Sequence, residues 1–458
     1  MAVALVALLL RSIAGPVILL ASLAVLLAGS RRMFLLATLL TLPISTLAWD
    51  VPITEIAGRT LDIRLLLTFG IASLIALALV LERPRPTRLE WLGIAFVAWI
   101  GVAGLLSSDS VYIVAPAAAR WFSYVGVFML ARRTATSPED RSRLVVATAL
   151  GFLVPSVLGL VEFVVGDASF MNGAVRATAP GGRGPIGLAF AGQMLLLLGF
   201  ALARMASQFS GWWWALAAAA TLAVIASATR IVTVTAWLAV AGVAAVFRRW
   251  RMVAVATVLF VVALGARPDL LNRYFTTVTA PSPSAQPSDP QASPAPGEEG
   301  EDQDIVVDAS LRFRFFVWGV LVTEWSERPL IGIGPGMTAA AVEQVSGLPR
   351  TAPHNDYLAV LGEMGVIGLA VFLALQASVL WALYGTWRRE AGERKLLVAS
   401  LGSLFVATNI LGALNNPMYF YDVQVPLWAL VGSVTGPVAA GTTATSSLRR
   451  AAADAEAG

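Results

Sequence analysis

Apolar residues run on for about 17–25 positions at a time, the length that carries a helix across a bilayer. These runs fall at 12–30, 33–49, 65–81, 91–106, 114–131, 144–165, 186–203, 211–228, 231–247, 252–266, 357–386, 396–414 and 425–441. They predict an all-α fold, a polytopic transmembrane helical bundle of about twelve to fourteen helices, with thirteen the count that the pattern favours. The polar connections alternate in character. Arg31-Arg32, Arg83/Arg85/Arg88, Arg132/Arg133/Arg141/Arg143, Arg204, Arg248/Arg249/Arg251, Arg388/Arg389/Arg394/Lys395 and Arg449/Arg450 occupy every second connection. Because short basic loops stay in the cytoplasm, these connections are expected inside, together with the C-terminus, and 267–356 is expected outside. Residues 1–30 form either one span with an external N-terminus or a tight hairpin turning near Arg11.

The chain thus divides into N-terminal transmembrane helices over 1–266, a large extracytoplasmic loop over 267–356, and C-terminal transmembrane helices with a cytoplasmic tail over 357–458. Within the loop, 279–304 is dense in Pro, Ser and acidic residues and has no aromatic. Such a composition cannot bury a core, so a disordered spacer is expected there. Composition agrees with the span count: 57% of residues are hydrophobic and 13% charged, against roughly 45–50% and ~25% in soluble domains. The absence of cysteine excludes disulfides and thiol chemistry. With a single histidine as well, Cys/His metal clusters are excluded, and no metal, cofactor or nucleic-acid partner is expected.

Chemistry concentrates between Ser310 and Leu369, where Arg, carboxylate, Trp and Gly crowd together around His354, the only histidine. Ser310 can cap an amphipathic helix with Leu311, Phe315, Trp318, Val322 and Trp325 at three- and four-residue spacing, and Pro329 ends it. Arg314 and Trp318 share a face of that helix, so the guanidinium can lie against the indole while its fork of N–H donors points outward at an anion. In Gly332-Ile333-Gly334-Pro335-Gly336 the glycines permit positive φ, which predicts a nest of N–H groups around an anion such as phosphate. Asn355 or Asp356 then caps a long apolar helix that places His354 at its N-terminus, where the helix dipole favours a neutral imidazole. Gly362, Gly365 and Gly368, three apart, predict a smooth face for close helix contact.

Arg-x-x-x-Trp at 314–318, Pro-Leu-Ile-Gly-Ile-Gly-Pro-Gly at 329–336, His-Asn-Asp-Tyr-Leu at 354–358 and Gly-Glu-Met-Gly-Val-Ile-Gly at 362–368, in that order, resemble the O-antigen ligase and polymerase family of bacterial membrane glycosyltransferases. A further arginine of that family ends a Ser-x-Ser-Arg-like stretch; here it reads Ser-Ala-Thr-Arg, 227–230, with one threonine substituted. The resemblance implies a multi-helix membrane enzyme of the inner membrane, working on its periplasmic or outer side. It would transfer glycan from an undecaprenyl-pyrophosphate carrier to a glycan or lipid acceptor without metal. In that reading His354 is the general base, and Arg314 and Arg230 bind pyrophosphate. Arg183, Trp318, Gly334, Asn355 and Glu363 complete the substrate-binding set.

Plainer roles stand beside these. Arg230 and Arg183 begin spans and can snorkel to lipid headgroups, Arg64 and Arg120 read as membrane anchors, and Trp318 as a packing or interface residue. Glu363 either orients His354 or is neutralised by an arginine. The same motifs serve ligation and polymerisation of lipid-linked repeats, so both remain open. A transporter or flippase would need intramembrane charges along a path and repeated halves, and no such repeat is visible.

Overall fold

The computed structural model describes residues 14–45, 52–56, 59–83, 85–107, 111–165, 169–171, 174–176, 220–224, 226–227, 229–248, 309–346 and 352–437, with isolated positions between 254 and 265. Its helices are α1 (Ala14–Gly29), α2 (Arg31–Ser45), α3 (Ile63–Glu82), α4 (Arg88–Ser107), α5 (Val111–Thr134), α6 (Pro138–Val165) and α7 (Arg230–Val246). They continue with α8 (Ala309–Glu327), α9 (Thr338–Ser346), α10 (Asp356–Arg389), α11 (Gly392–Gly412), a 3-10 turn at Pro417–Tyr419, and α12 (Tyr421–Thr435). Among the described residues six helices are long and apolar enough to cross a membrane: most or all of α3, α4, α5, α6, α10 and α11. The polytopic helical bundle is as expected. Two small antiparallel hairpins, Pro52–Ile56 with Arg59–Asp62 and Ser169–Met171 with Ala174–Arg176, decorate its connections and have no counterpart in the apolar pattern. The predicted runs at 186–203, most of 211–228 and most of 252–266 lie outside the described residues, as do the spacer 279–304 and Arg183.

At the centre stands α12, buried from Tyr421 to Val434. A helix apolar on all sides has to be enclosed by others, and α5, α11, α10, α6 and α2 surround it. A Cβ at Gly432 would collide with the carbonyl of Phe128 on α5, so these two backbones touch where only glycine fits. Trp428 packs edge-on against Phe128 and Phe405 at centroid distances of 6.1 and 5.8 Å, joining α5, α11 and α12 in one core.

Among the described residues, Arg31, Arg32, Arg132, Arg133, Arg141 and Arg394 gather at one end, in agreement with their alternation along the chain. Two helices begin there at a Ser or Thr whose backbone N–H donates to the carboxylate three residues further on, the capping-box arrangement. In α6, Ser137 Oγ accepts from the Asp140 N–H at 3.1 Å, and Asp140 also pairs with Arg32 of α2 at 2.8 Å. In α4, the Thr87 N–H donates to Glu90 at 2.7 Å, and Glu90 in turn pairs with Arg133 of α5 at 2.8 Å. Each carboxylate therefore serves a helix terminus and a neighbouring helix together. Glu90 is 1% exposed, so Glu90→Gln, which keeps the shape but removes the charge facing Arg133, is expected to cost roughly 1.5–3 kcal/mol. Thermal unfolding of the purified protein in detergent checks this, and an unchanged midpoint would make the ion pair incidental. Arg141 at the same end donates to the Ser433 carbonyl at 2.9 Å, fixing the last turn of α12.

Candidate active site

The opposite end holds the polar cluster. Here α8 lies against α9 and α10 through buried Val317, Val320 and Leu321. It starts at Ala309, one residue ahead of the expected cap, and stops at Glu327 just before Pro329. From it Arg314 donates through an Nη to the Leu414 carbonyl at 2.9 Å, and the Trp318 indole N–H donates to the Pro353 carbonyl at 2.7 Å. The two side chains anticipated on one face thus embrace two different turns, 413–416 and 353–355, and hold them side by side.

The glycine loop departs from its predicted role. Gly332, Gly334 and Gly336 do take positive φ, at 72°, 109° and 78°. Their segment, however, opens toward α10 and not toward an incoming phosphate: the N–H groups of Ile333 and Gly334 donate to the carbonyls of Gly362 and Glu363, each at 2.9 Å. Those carbonyls are available because α10 is broken at Gly365, which has φ 66° and ψ −174°. The Val366 N–H, freed by the same break, donates to the Pro329 carbonyl at 2.9 Å. Gly365 is accordingly no part of a smooth helical face; it is the point where the loop is stitched into the helix, since unpaired backbone groups at this depth would be costly.

The anion that this loop receives is the chain's own Glu363. Its side chain is 6% exposed. The backbone N–H of Thr338, at the start of α9, approaches its Oε1 at 3.4 Å, and the Tyr419 hydroxyl donates to the same oxygen at 3.3 Å. The positive end of the α9 dipole thus points at a carboxylate. Burial pushes the Tyr419 phenol well above its ordinary range, so it stays a neutral donor. Above its ring, 4.5 Å from the centroid, lies the Arg120 guanidinium, and Arg64 donates to the Tyr419 carbonyl at 2.9 Å. Both arginines, read from the sequence as membrane anchors, instead point into the protein. The hydrogen bonds to Glu363 come from Thr338 and Tyr419, and its contacts lie with this group and not with His354.

His354 occupies the adjoining turn, with φ 52°. Asn355 caps α10, its Oδ1 accepting from the Leu358 N–H at 3.0 Å. Asp356 accepts from the Met418 N–H at 3.1 Å, tying the helix start to the 3-10 turn. The imidazole Nδ1 lies 3.3 Å from Asn415 Oδ1. Burial lowers the His354 pKa below its ordinary value, the nearby Arg314 charge lowers it further, and the Asn415 contact opposes them. The shift runs in the direction expected of the ring, with desolvation as its main cause where the sequence had pointed to the helix dipole.

Arg314, Trp318, His354 and Asn355 are thus brought together around one turn, with Gly334 and Glu363 one layer deeper. Arg230 opens α7 directly after Thr229, and its side chain lies outside the described residues. Sequence reasoning missed Asn415, Tyr419 and the inward course of Arg64 and Arg120. A signal was present in Asn415-Asn416-Pro417, a polar turn interrupting an otherwise apolar stretch.

Comparison with known families falls on this region. Residues 214–373 match the family model described as O-antigen ligase. No curated protein matches the chain. The matched stretch contains Arg230, Arg314, His354 and Glu363, the residues on which the resemblance was first drawn. Over that stretch the chain, a polytopic helical membrane protein, is similar to the O-antigen ligase family.

Proposed function

We propose that the protein transfers glycan from an undecaprenyl-pyrophosphate carrier to an acceptor hydroxyl, with the cluster at the His354 end facing the periplasm or outer side of the inner membrane. The observation that carries this reading is a lone imidazole, only partly buried and depressed in pKa, set in a turn beside the Arg314 guanidinium. A neutral imidazole near pH 7 accepts the acceptor's proton. As the hydroxyl oxygen forms its bond to the anomeric carbon, the bond from that carbon to the pyrophosphate oxygen breaks, inverting the centre. Charge grows on the departing undecaprenyl pyrophosphate, and the arginines Arg314 and Arg230 are the groups that meet it. Trp318, Asn355 and Arg183 complete the substrate-binding set. Gly334, with its N–H already engaged, and Glu363 support that set from beneath.

A planar guanidinium grips phosphate oxygens with two parallel bonds, which a compact ammonium cannot copy. Arg230→Lys is therefore expected to depress transfer strongly, while Arg273→Lys stays close to wild type. Transfer by purified protein from lipid-linked donor measures this, and equal rates for Arg230→Lys and wild type would leave Arg230 a headgroup anchor. The same preparation in vesicles separates consumption of lipid-linked glycan from its mere relocation, as a flippase would give. The glycan profile of cells lacking the protein separates ligation, which loses all attached glycan, from polymerisation, which leaves single repeats attached.

A further inference from the structure

We infer that Asn415 is a positioning residue for His354, holding the imidazole in its Nδ1–H tautomer so that Nε2 is the atom left to accept a proton; this rests on the general-base reading of His354.

Asn415 is 2% exposed, and its side-chain oxygen lies 3.3 Å from His354 Nδ1. That oxygen also accepts from the Asn416 backbone N–H at 3.0 Å. The second bond decides which way the amide faces, because the reversed amide would set an NH2 group against a backbone N–H, donor against donor. An amide oxygen has no proton to give. The His354–Asn415 contact is therefore a hydrogen bond only when Nδ1 carries the proton, which leaves the lone pair on Nε2. A solvated neutral histidine side chain prefers the opposite form, with the proton on Nε2, so the site selects the less populated tautomer.

Both partners are held. Arg314 clamps the residue before Asn415 through the Leu414 carbonyl, and Trp318 clamps the residue before His354 through the Pro353 carbonyl. His354 itself sits at φ 52°, and its ring meets the 413–416 turn at Asn415. Arg314 of α8 is the charged group that bears on the ring. Asp356, on the ring's own helix, faces the Met418 N–H, and Asn415 is neutral. A neutral amide on Nδ1 fixes the proton without the large basicity increase that a carboxylate would bring, which suits a base meant to stay unprotonated near neutral pH.

Because His354 is the only histidine, nitrogen NMR of protein labelled with 15N-histidine in detergent reports one imidazole. Above its pKa the wild type is expected to show a protonated Nδ1 and an unprotonated Nε2; the reverse pattern overturns the inference without any variant. Asn415→Leu is expected to move the ring toward the Nε2–H form and lower transfer by about 10–100-fold, while Asn415→Asp keeps the Nδ1–H form and shifts the rise of activity with pH to higher pH. An unchanged tautomer and pH profile in both variants would also overturn it. Should His354→Ala retain transfer, the general-base reading fails, and the tautomer measured by NMR still decides whether Asn415 sets the ring.

Discussion

His354→Ala is expected to insert, fold and bind lipid-linked donor as the wild type does, and to lose about 10²–10⁴-fold in the rate of transfer, the usual worth of a positioned proton acceptor. Binding is expected to survive because, in the proposed reaction, the charge of the pyrophosphate is met by arginines and not by the ring. The pH dependence carries an independent sign. Burial and the Arg314 charge lower the His354 pKa, so the ring sheds its proton at a pH below the ordinary value of about 6.5. Only the neutral ring accepts a proton. Turnover should therefore rise as pH rises through a value under ~6.5 and stay flat to pH 9. In vitro transfer across that range checks both parts. A variant that no longer binds donor would make His354 a phosphate ligand, and one with near-normal turnover would return it to a turn residue.

The second large effect is structural. Gly365→Ala is expected to destabilise the protein by about 2–6 kcal/mol and to disable transfer through the loop that supports the site. Its φ of 66° and ψ of −174° lie in a region essentially reserved for glycine, where any side chain costs about 1–3 kcal/mol. An added Cβ would also run into the Leu330 carbonyl and sit 2.5 Å from the Ile331 nitrogen, and such overpacking costs a further ~1–3 kcal/mol. Relief would come by withdrawing the 329–336 loop, which breaks the bonds from Ile333 and Gly334 to α10 and uncovers Glu363. Gly362→Ala provides the contrast: there the added carbon meets Leu321 at an ordinary 3.4 Å, and the change should be mild. Unfolding midpoints in detergent compare the two, and equal midpoints would show that the break at Gly365 is not required.

The sequence by itself determined the membrane bundle, because the length of an apolar run is set by bilayer thickness and needs no partner to be read. Among the described residues it also determined that Arg31, Arg32, Arg133 and Arg141 gather at one end, since charge is costly within the bilayer. The capping of α10 by Asn355 and the end of α8 before Pro329 were legible for the same reason: each is settled within four residues of chain. The carboxylate caps at Thr87–Glu90 and Ser137–Asp140 were equally local and went unread. What only the tertiary structure decided is where side chains and loops find partners far along the chain. The glycines of 332–336 promised a nest, and they form one, yet its occupants are the Gly362 and Glu363 carbonyls and the Glu363 carboxylate, which no spacing reveals. Three-residue glycine spacing reads as a smooth helix until an inserted loop draws Gly365 into positive φ. Arg64 and Arg120 look like anchors until Tyr419, far along the chain (355 residues past Arg64), is folded against them. The hydrogen bond that sets the tautomer of His354 likewise joins residues 61 apart. Local rules govern helices and caps because their bonds close within a turn, whereas a buried polar group takes whatever partner the packed bundle brings to it.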